Sequence, residues 1–341
     1  MSARFHLNVR HLALRFVDPE RRIFGEAGLA ERSHQLNEKK EIDMRRKSTL
    51  LLGQVVGLTL FCLALSPLLF AADYRFVKID FPNATETLAN GINARGDIVG
   101  RYLDTDGVYH GYLLSKGVFS TIDFPGAIYT AAFSLNARGD IAGHIMDANG
   151  TDHGFLLRDG KFTQIDYPGA PGTFARGISN AGDVVGVYFD SAGDEHGFLL
   201  KDGTFHNIHV PGSRGEHVSM AQDNGRVLVG SFYTNPGDPI YGFVRNRPGE
   251  FQTIKFHGHG LVCTGARWIN EKGDIVGVYG PNCAGVRHGY LLRQGKFVTI
   301  DPPGAVDTQS DAINDDGVIV GLYTDRTGVT HGYKAIPKDE K

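Results

Sequence analysis

From about residue 87 onward, apolar residues alternate with small or polar ones in short runs, and each run stops at glycine, asparagine or aspartate. A period of two in runs this short predicts β-strands with one buried face. In the first such stretch the strands are expected over about 87–93, 97–102, 111–115 and 118–123. Asn93 to Gly96 and Asp104 to Gly107 supply the glycine and Asn/Asp positions that tight hairpins need for positive φ. Lys116 and Gly117 form the third turn, and Pro125 with Gly126 breaks the outer strand.

The same pattern then returns. An Ile-Asp-Phe-Pro phrase begins at Ile79, Ile122 and Ile165, degenerates at Ile208 and Ile254, and recovers at Ile300. A His-Gly-aromatic phrase begins at His110, His153, His196, His288 and His331, with Tyr241 in the remaining slot. A Gly-Asp-Ile-Val-Gly phrase ends at Gly100, Gly143, Gly186, Gly230, Gly277 and Gly321, spacings of 43 to 47 residues. A four-stranded unit of this size cannot bury both sheet faces alone, so neighbours must stack. Six such units predict an all-β, six-bladed β-propeller of four-stranded blades over residues 73–337, followed by a short tail, 338–341. The ends fit closure of the ring. Residues 74–80 read as an outer strand with no preceding three, and the last unit stops after its third strand. The N-terminal strand is therefore expected to complete the last blade, which removes an open pairing edge.

The first 43 residues are charged and aperiodic, expected to be irregular or disordered. Arg45, Arg46 and Lys47 then precede an apolar run over about 50–65, with Pro67, Ala71 and Ala72 behind it. This order of basic, apolar and small residues predicts a signal peptide over 44–72, so that Met44 is the expected start and 1–43 a non-native extension. Phe70 stands where cleavage prefers a small side chain, and an uncleaved membrane anchor is the alternative. The expected location is secreted, periplasmic or cell-surface. Cys263 and Cys283 follow the signal segment, and an even pair in an exported chain predicts a disulfide. They lie symmetrically about the turn at Lys272 and Gly273, so they are expected to face each other across one hairpin, contributing about 3 kcal/mol through loop closure. A formal net charge of −3 with no basic stripe excludes nucleic acid as the expected partner. The expected state is a monomer.

In the first unit, Gly91-Ile92-Asn93 is followed by Gly96 to Gly100, then His110-Gly111-Tyr112-Leu113 and Gly117-Val118-Phe119. This arrangement resembles the extracellular repeat proteins of the HAF type across nearly all of residues 74–336. Glycine stands here where that repeat has alanine after the histidine, and the Ile-Asp-Phe-Pro phrase is an addition. The resemblance implies export and a propeller-like fold, and it carries no activity or catalytic residue.

Residues repeated in every blade are expected to build blades. The repeated histidines are read as structural, bonding a backbone or turn group near the third strand, and Asn93, Asn136, Asn270 and Asn314 as turn formers. Acidic hairpins such as Asp104 to Gly107 resemble calcium loops but lack the bidentate far-end acid. Chemistry is sought where the repeat breaks. The slot two residues before the last apolar residue of each inner strand holds Asn90, Phe133, Arg176, Arg267 and Asp311. These are expected to begin strands at the channel mouth and contact a ligand, because variable positions on a rigid frame favour binding. Trp268, the one tryptophan, either fills a gap or offers a stacking surface. His209, His217, His257 and His259 fall in two consecutive blade junctions and are the zinc candidates, although no cofactor is expected. No nucleophile elbow, HExxH, P-loop or dinucleotide fingerprint occurs. The expected function is a binding scaffold for carbohydrate, another extracellular polymer or a protein. A hydrolase or lyase using His217, Arg176, Arg267 and Asp311 is the alternative, and a structural envelope protein the third. A histidine or carboxylate pair within hydrogen-bond reach at the channel favours the enzyme. An exposed aromatic shelf without one favours binding.

Overall fold

The computed structural model describes residues 74–222, 227–235, 237–257, 262–281, 283 and 285–338. The expected extension over 1–43 and signal segment over 44–72 lie outside the described residues. The rest forms six four-stranded antiparallel sheets. In blade 1 the strands are Glu86–Ile92, Ile98–Leu103, Tyr109–Ser115 and Val118–Ile122, close to the bounds the pattern predicts. Five sheets take their strands in sequence order. In blade 6, Tyr74–Ile79 pairs antiparallel with Thr330–Pro337, with Tyr74 opposite Pro337 and Ile79 opposite Gly332. Each inner strand packs on the next, and that of blade 6 packs on that of blade 1. The ring is closed, with the N-terminal strand completing the last blade as the sequence predicts.

The repeated phrases are the packing code. The glycine ending each Gly-Asp-Ile-Val-Gly phrase lies under the aromatic of the His-Gly-aromatic phrase. A Cβ at Gly100 would run into the Leu88 carbonyl and the ring of Tyr112, and the other five blades repeat the clash. The six aromatics, Tyr112, Phe155, Phe198, Phe243, Tyr290 and Tyr333, are all fully buried. The aromatic of the Ile-Asp-Phe-Pro phrase then crosses to the next blade. Phe81 leaves blade 6, stacks on Tyr102 at 3.6 Å and meets Phe119 edge-on at 5.1 Å. Tyr167 and Phe256 repeat this contact on Tyr188 and Tyr279, at 3.6 and 3.8 Å. Each such ring buries a large apolar area at a fixed geometry, which makes it an anchor between sheets.

The turn asparagines do more than form turns. Asn93 Oδ1 accepts from the backbone of Arg95 and Asp97, both at 3.0 Å, which holds its own hairpin. Its Nδ2 faces the next blade and donates to the Asn136 carbonyl at 3.4 Å. Asn136 reaches Ser179 at 3.3 Å, Asn270 reaches Asn314 at 3.1 Å, and Asn314 returns to Asn93 at 3.4 Å. Each amide thus fastens its own turn and a neighbouring blade at one end of the channel. Asn136→Ala should lower stability by about 1–3 kcal/mol, because it strands buried polar groups on two blades. A urea midpoint unchanged from the parent would overturn this role.

Candidate functional site

Every inner strand slips its register once. The slips fall between Ala89 and Gly91, Ala132 and Ser134, and Ala175 and Gly177. The remaining three fall between Val218 and Met220, Ala266 and Trp268, and Ser310 and Ala312. The skipped residues are Asn90, Phe133, Arg176, Ser219, Arg267 and Asp311. The variable slot is therefore a β-bulge, one residue per blade whose backbone is left out of the ladder, which re-aims its side chain. These residues lie near the ends of the inner strands, a correction to the expectation that they begin them. Asn90 is the fifth of seven residues in Glu86–Ile92, because the strand begins well before the Gly-Ile-Asn phrase that marks its end.

The structure draws several of these side chains together. The Arg176 guanidinium stands over the Phe133 ring at 4.4 Å and over Phe174 at 5.3 Å. Arg101 approaches Phe133 at 5.9 Å and Tyr109 at 5.7 Å. Arg267 reaches Gln309 Oε1 at 3.3 Å. With its amide turned, the Gln309 oxygen accepts instead from Arg287 at 2.7 and 3.0 Å. Burial, then Arg267, push the Arg176 pKa down to about 10. Burial also raises the Asp311 carboxyl, against the pull of Arg267, Arg101, Arg287 and Arg176. Asn90 is spent on the frame, donating to the Ala132 carbonyl at 2.9 Å.

His217 Nδ1 lies 3.3 Å from Glu195 Oε2. Burial and the nearby Arg176 hold His217 below its ordinary pKa. Burial would raise Glu195, but His217, Arg176 and Arg267 together hold its carboxyl below the usual range. A second pair, His144 Nε2 and Asp152 Oδ1, stands at 3.2 Å, and burial pushes His144 down to about 4. His144 Nδ1 is buried with no hydrogen-bond partner. The ring of His144 lies 5.7 Å from Phe133 and 4.2 Å from Phe174.

Arg101 and Gln309 are not singled out by the sequence; His144 stands out only as a histidine outside the repeated slot, and Asp152 and Glu195 only as acids of the hairpin turns. A signal for most of them exists. Arg101 and His144 directly follow the phrase-ending glycines Gly100 and Gly143, while Tyr109, Asp152, Glu195 and Arg287 directly precede the repeated histidines. Both are slots whose chemistry changes from blade to blade.

Other expected site residues lie elsewhere. Trp268 is only 5% exposed, packed in the core in the place of Gly91 and Gly177, and so fills a gap instead of offering a stacking face. It lines a cavity of about 50 Å³ at the asparagine end of the channel, with Met220, Ile313 and Asn270. Its titratable lining residues are two acids, Glu271 and Asp315, with no histidine, lysine or arginine among the lining, and Asp315 Oδ1 accepts from the Glu271 backbone at 2.9 Å. Of the zinc candidates, His209 pairs with Glu216 at 2.7 Å and His217 with Glu195, while His257 is exposed and lines a separate groove with Lys255 and Arg293. His259 lies outside the described residues. Among the described residues, no three His, Cys, Asp or Glu side chains form a group able to hold a metal. The disulfide joins Cys263 to Cys283, with Cα atoms 4.9 Å apart. The ladder sets Cys263 opposite Gly280: pairing of Ile269 with Ile275 centres the hairpin on Lys272, and the bulge at Arg267 moves the register by one residue more. The bond therefore ties the inner strand to the loop beyond its partner strand, a correction to the symmetric hairpin.

The repeated histidines are structural, with carboxylates as partners. His110 Nδ1 meets Asp123 at 2.8 Å and its Nε2 meets Asp104 at 3.2 Å. His331 likewise spans Asp80 at 2.8 Å and Asp325 at 3.4 Å. The hairpin acids serve their own turns: Asp104 Oδ1 accepts from Asp106 and Val108 at 2.9 and 2.8 Å. The oxygens that a calcium loop would offer are engaged in this way.

No family model matches the chain, and no curated protein matches it. The HAF-type resemblance thus rests on the motifs alone. Among solved structures, the fucose-specific lectin from Aleuria aurantia is similar at 11% identity, over 74% of this chain and 93% of that one, with a TM-score of 0.49. TolB from Acinetobacter baumannii is similar at 12% identity over 76% and 65%, with a TM-score of 0.48. A gluconolactonase, XC5397 from Xanthomonas campestris, is similar at 12% identity over 79% and 91%, with a TM-score of 0.45.

Neutral, buried His144 gives a pH dependence. Its folded pKa lies below the ordinary 6.5, so its contribution to stability is full above pH 6.5 and is lost as pH falls toward 4. The urea midpoint of the protein should drop between pH 7 and pH 4.5 by the equivalent of about 1–3 kcal/mol more than that of His144→Gln. Equal drops in both proteins would remove this assignment.

Proposed function

We propose that this chain is an exported glycan-binding propeller whose ligand is held at the channel mouth. The observation that carries this reading is the ring of bulge residues. Six positions on a frame of repeated contacts are released from sheet pairing, and they differ from blade to blade. A rigid scaffold presenting unlike side chains to one channel is a design for recognition. Half-buried Arg101, Arg176, Arg267, Glu195 and Asp311 supply donors and acceptors for hydroxyl groups there. Export is supported by the basic-apolar-small order of 44–72 and by the disulfide. Among the described residues, no helix is long and apolar enough to cross a membrane.

A second reading is favoured by the Glu195–His217 pair. A neutral imidazole beside a carboxylate and two arginines can accept a proton while the cations stabilise developing negative charge. Under that reading His217 is the base and Glu195 its positioning residue.

A thermal-shift screen of the protein against neutral and acidic oligosaccharides tests both readings. Ligand at about 100 times its Kd stabilises by about 2.7 kcal/mol, a rise of several degrees. The shift should vanish in the Arg176→Ala, Arg267→Ala double variant. If no saccharide moves the melting temperature, the glycan reading fails. Product formation that His217→Gln abolishes while binding persists would place the chain among enzymes.

A further inference from the structure

Two sets of arginines stand in contrast among the described residues. Arg95, Arg138, Arg158, Arg214, Arg287 and Arg293 each meet an aspartate within 4.0 Å. Arg101, Arg176 and Arg267 have no such partner among the described residues. They are half-buried; aromatic faces hold Arg101 and Arg176, and Arg267 lies beside the Gln309 amide, whose oxygen, once turned, serves Arg287. Arg176 Nε is buried without any hydrogen-bond partner.

The acids nearby are already committed or out of reach. Asp307 takes two bonds from Arg287, at 3.0 and 2.7 Å. Glu195 faces His217, Asp152 faces His144, and Glu86 accepts from Tyr109 at 2.7 Å. Asp311 forms no ion pair with any of the three guanidiniums. Like charges gathered in a partly desolvated channel repel one another, and a buried donor without an acceptor is costly. An anion entering the channel relieves both at once.

We infer that Arg101, Arg176 and Arg267 form a receptor for a carboxylate, and that the ligand at the channel mouth is an acidic saccharide bearing uronate groups. This rests on the reading of the mouth as a glycan site. A guanidinium is a planar fork matched to the two oxygens of a carboxylate, and ring stacking pre-orients Arg101 and Arg176 for such contact. Glu195 and Asp311 beside the arginines disfavour doubly charged phosphates and suit a singly charged group. They also offer acceptors to the hydroxyls flanking a uronate.

Isothermal titration of the full chain tests the assignment with oligomers of galacturonate, glucuronate and mannuronate, their methyl esters, and sodium acetate. At least one acidic oligomer should bind, its methyl ester should bind at least tenfold more weakly, and affinity should fall as sodium chloride rises. Arg267→Gln and Arg176→Gln should each weaken binding at least tenfold, with melting curves establishing that the variants fold. Arg101→Gln provides a third variant if either fails to fold, and Arg267→Lys should not restore full affinity because it loses the fork. Methyl esters that bind as well as the acids would overturn the carboxylate receptor and leave the glycan reading standing. Acetate binding that depends on Arg267, with no saccharide bound, would uphold the receptor and overturn the uronate ligand. No binding by any of these probes would overturn both.

Discussion

The fold depends on six contacts between a glycine and an aromatic ring. At Gly100 and its counterparts the strand carries no Cβ, so the ring from the third strand lies flat on the second. Replacing any one of these glycines would drive a methyl group into a backbone carbonyl that cannot move without breaking the ladder. This contact fixes each sheet's own packing. The crossing aromatics Phe81, Tyr167 and Phe256 then fix three of the six sheets against the next, which helps small four-stranded units bury both faces.

At the asparagine end of the channel the same economy recurs with polar groups. One side chain satisfies its own hairpin with its oxygen and the neighbouring blade with its nitrogen. Hydrophobic stacking sets the spacing between blades, and these directional bonds set their rotation about the axis. The opposite polar clamp, His110 between Asp104 and Asp123, joins a hairpin to the end of the outer strand. The frame is held at several levels of each blade, leaving the bulge residues other than Asn90 free to vary without loss of the ring.

The architecture was legible because it is written six times. Any residue needed for stacking recurs at the repeat period, so Gly100, Tyr112 and Asn93 announce their roles by position. The site was half legible for the same reason. Arg176, Arg267 and Asp311 stand out as breaks in a slot, and His217 as a histidine out of place. Arg101, Asp152 and Glu195 stand in slots just as variable, but each lies next to a repeated marker that draws attention away from it. Their convergence is a property of ring geometry: residues far apart in sequence meet only because six sheets turn about one axis. Trp268 shows the opposite failure. Its rarity drew notice, whereas its burial follows from an adjacent bulge that turns it into the core.

The pairing of Tyr74–Ile79 with Thr330–Pro337 bears on how the chain comes to be folded. Asp80, just after that first strand, meets His331 across 251 residues. A ribosome delivers Tyr74 long before Pro337, so this earliest strand must wait, unpaired, while five complete blades emerge behind it. Closure is the contact with the largest loop in the molecule, and the entropy of that loop is overcome only after the other blades have shortened it by folding. Assembly therefore has a direction. The ring is a clasp whose two halves are the first and last strands of the propeller, and it stays open until the last of them has been made.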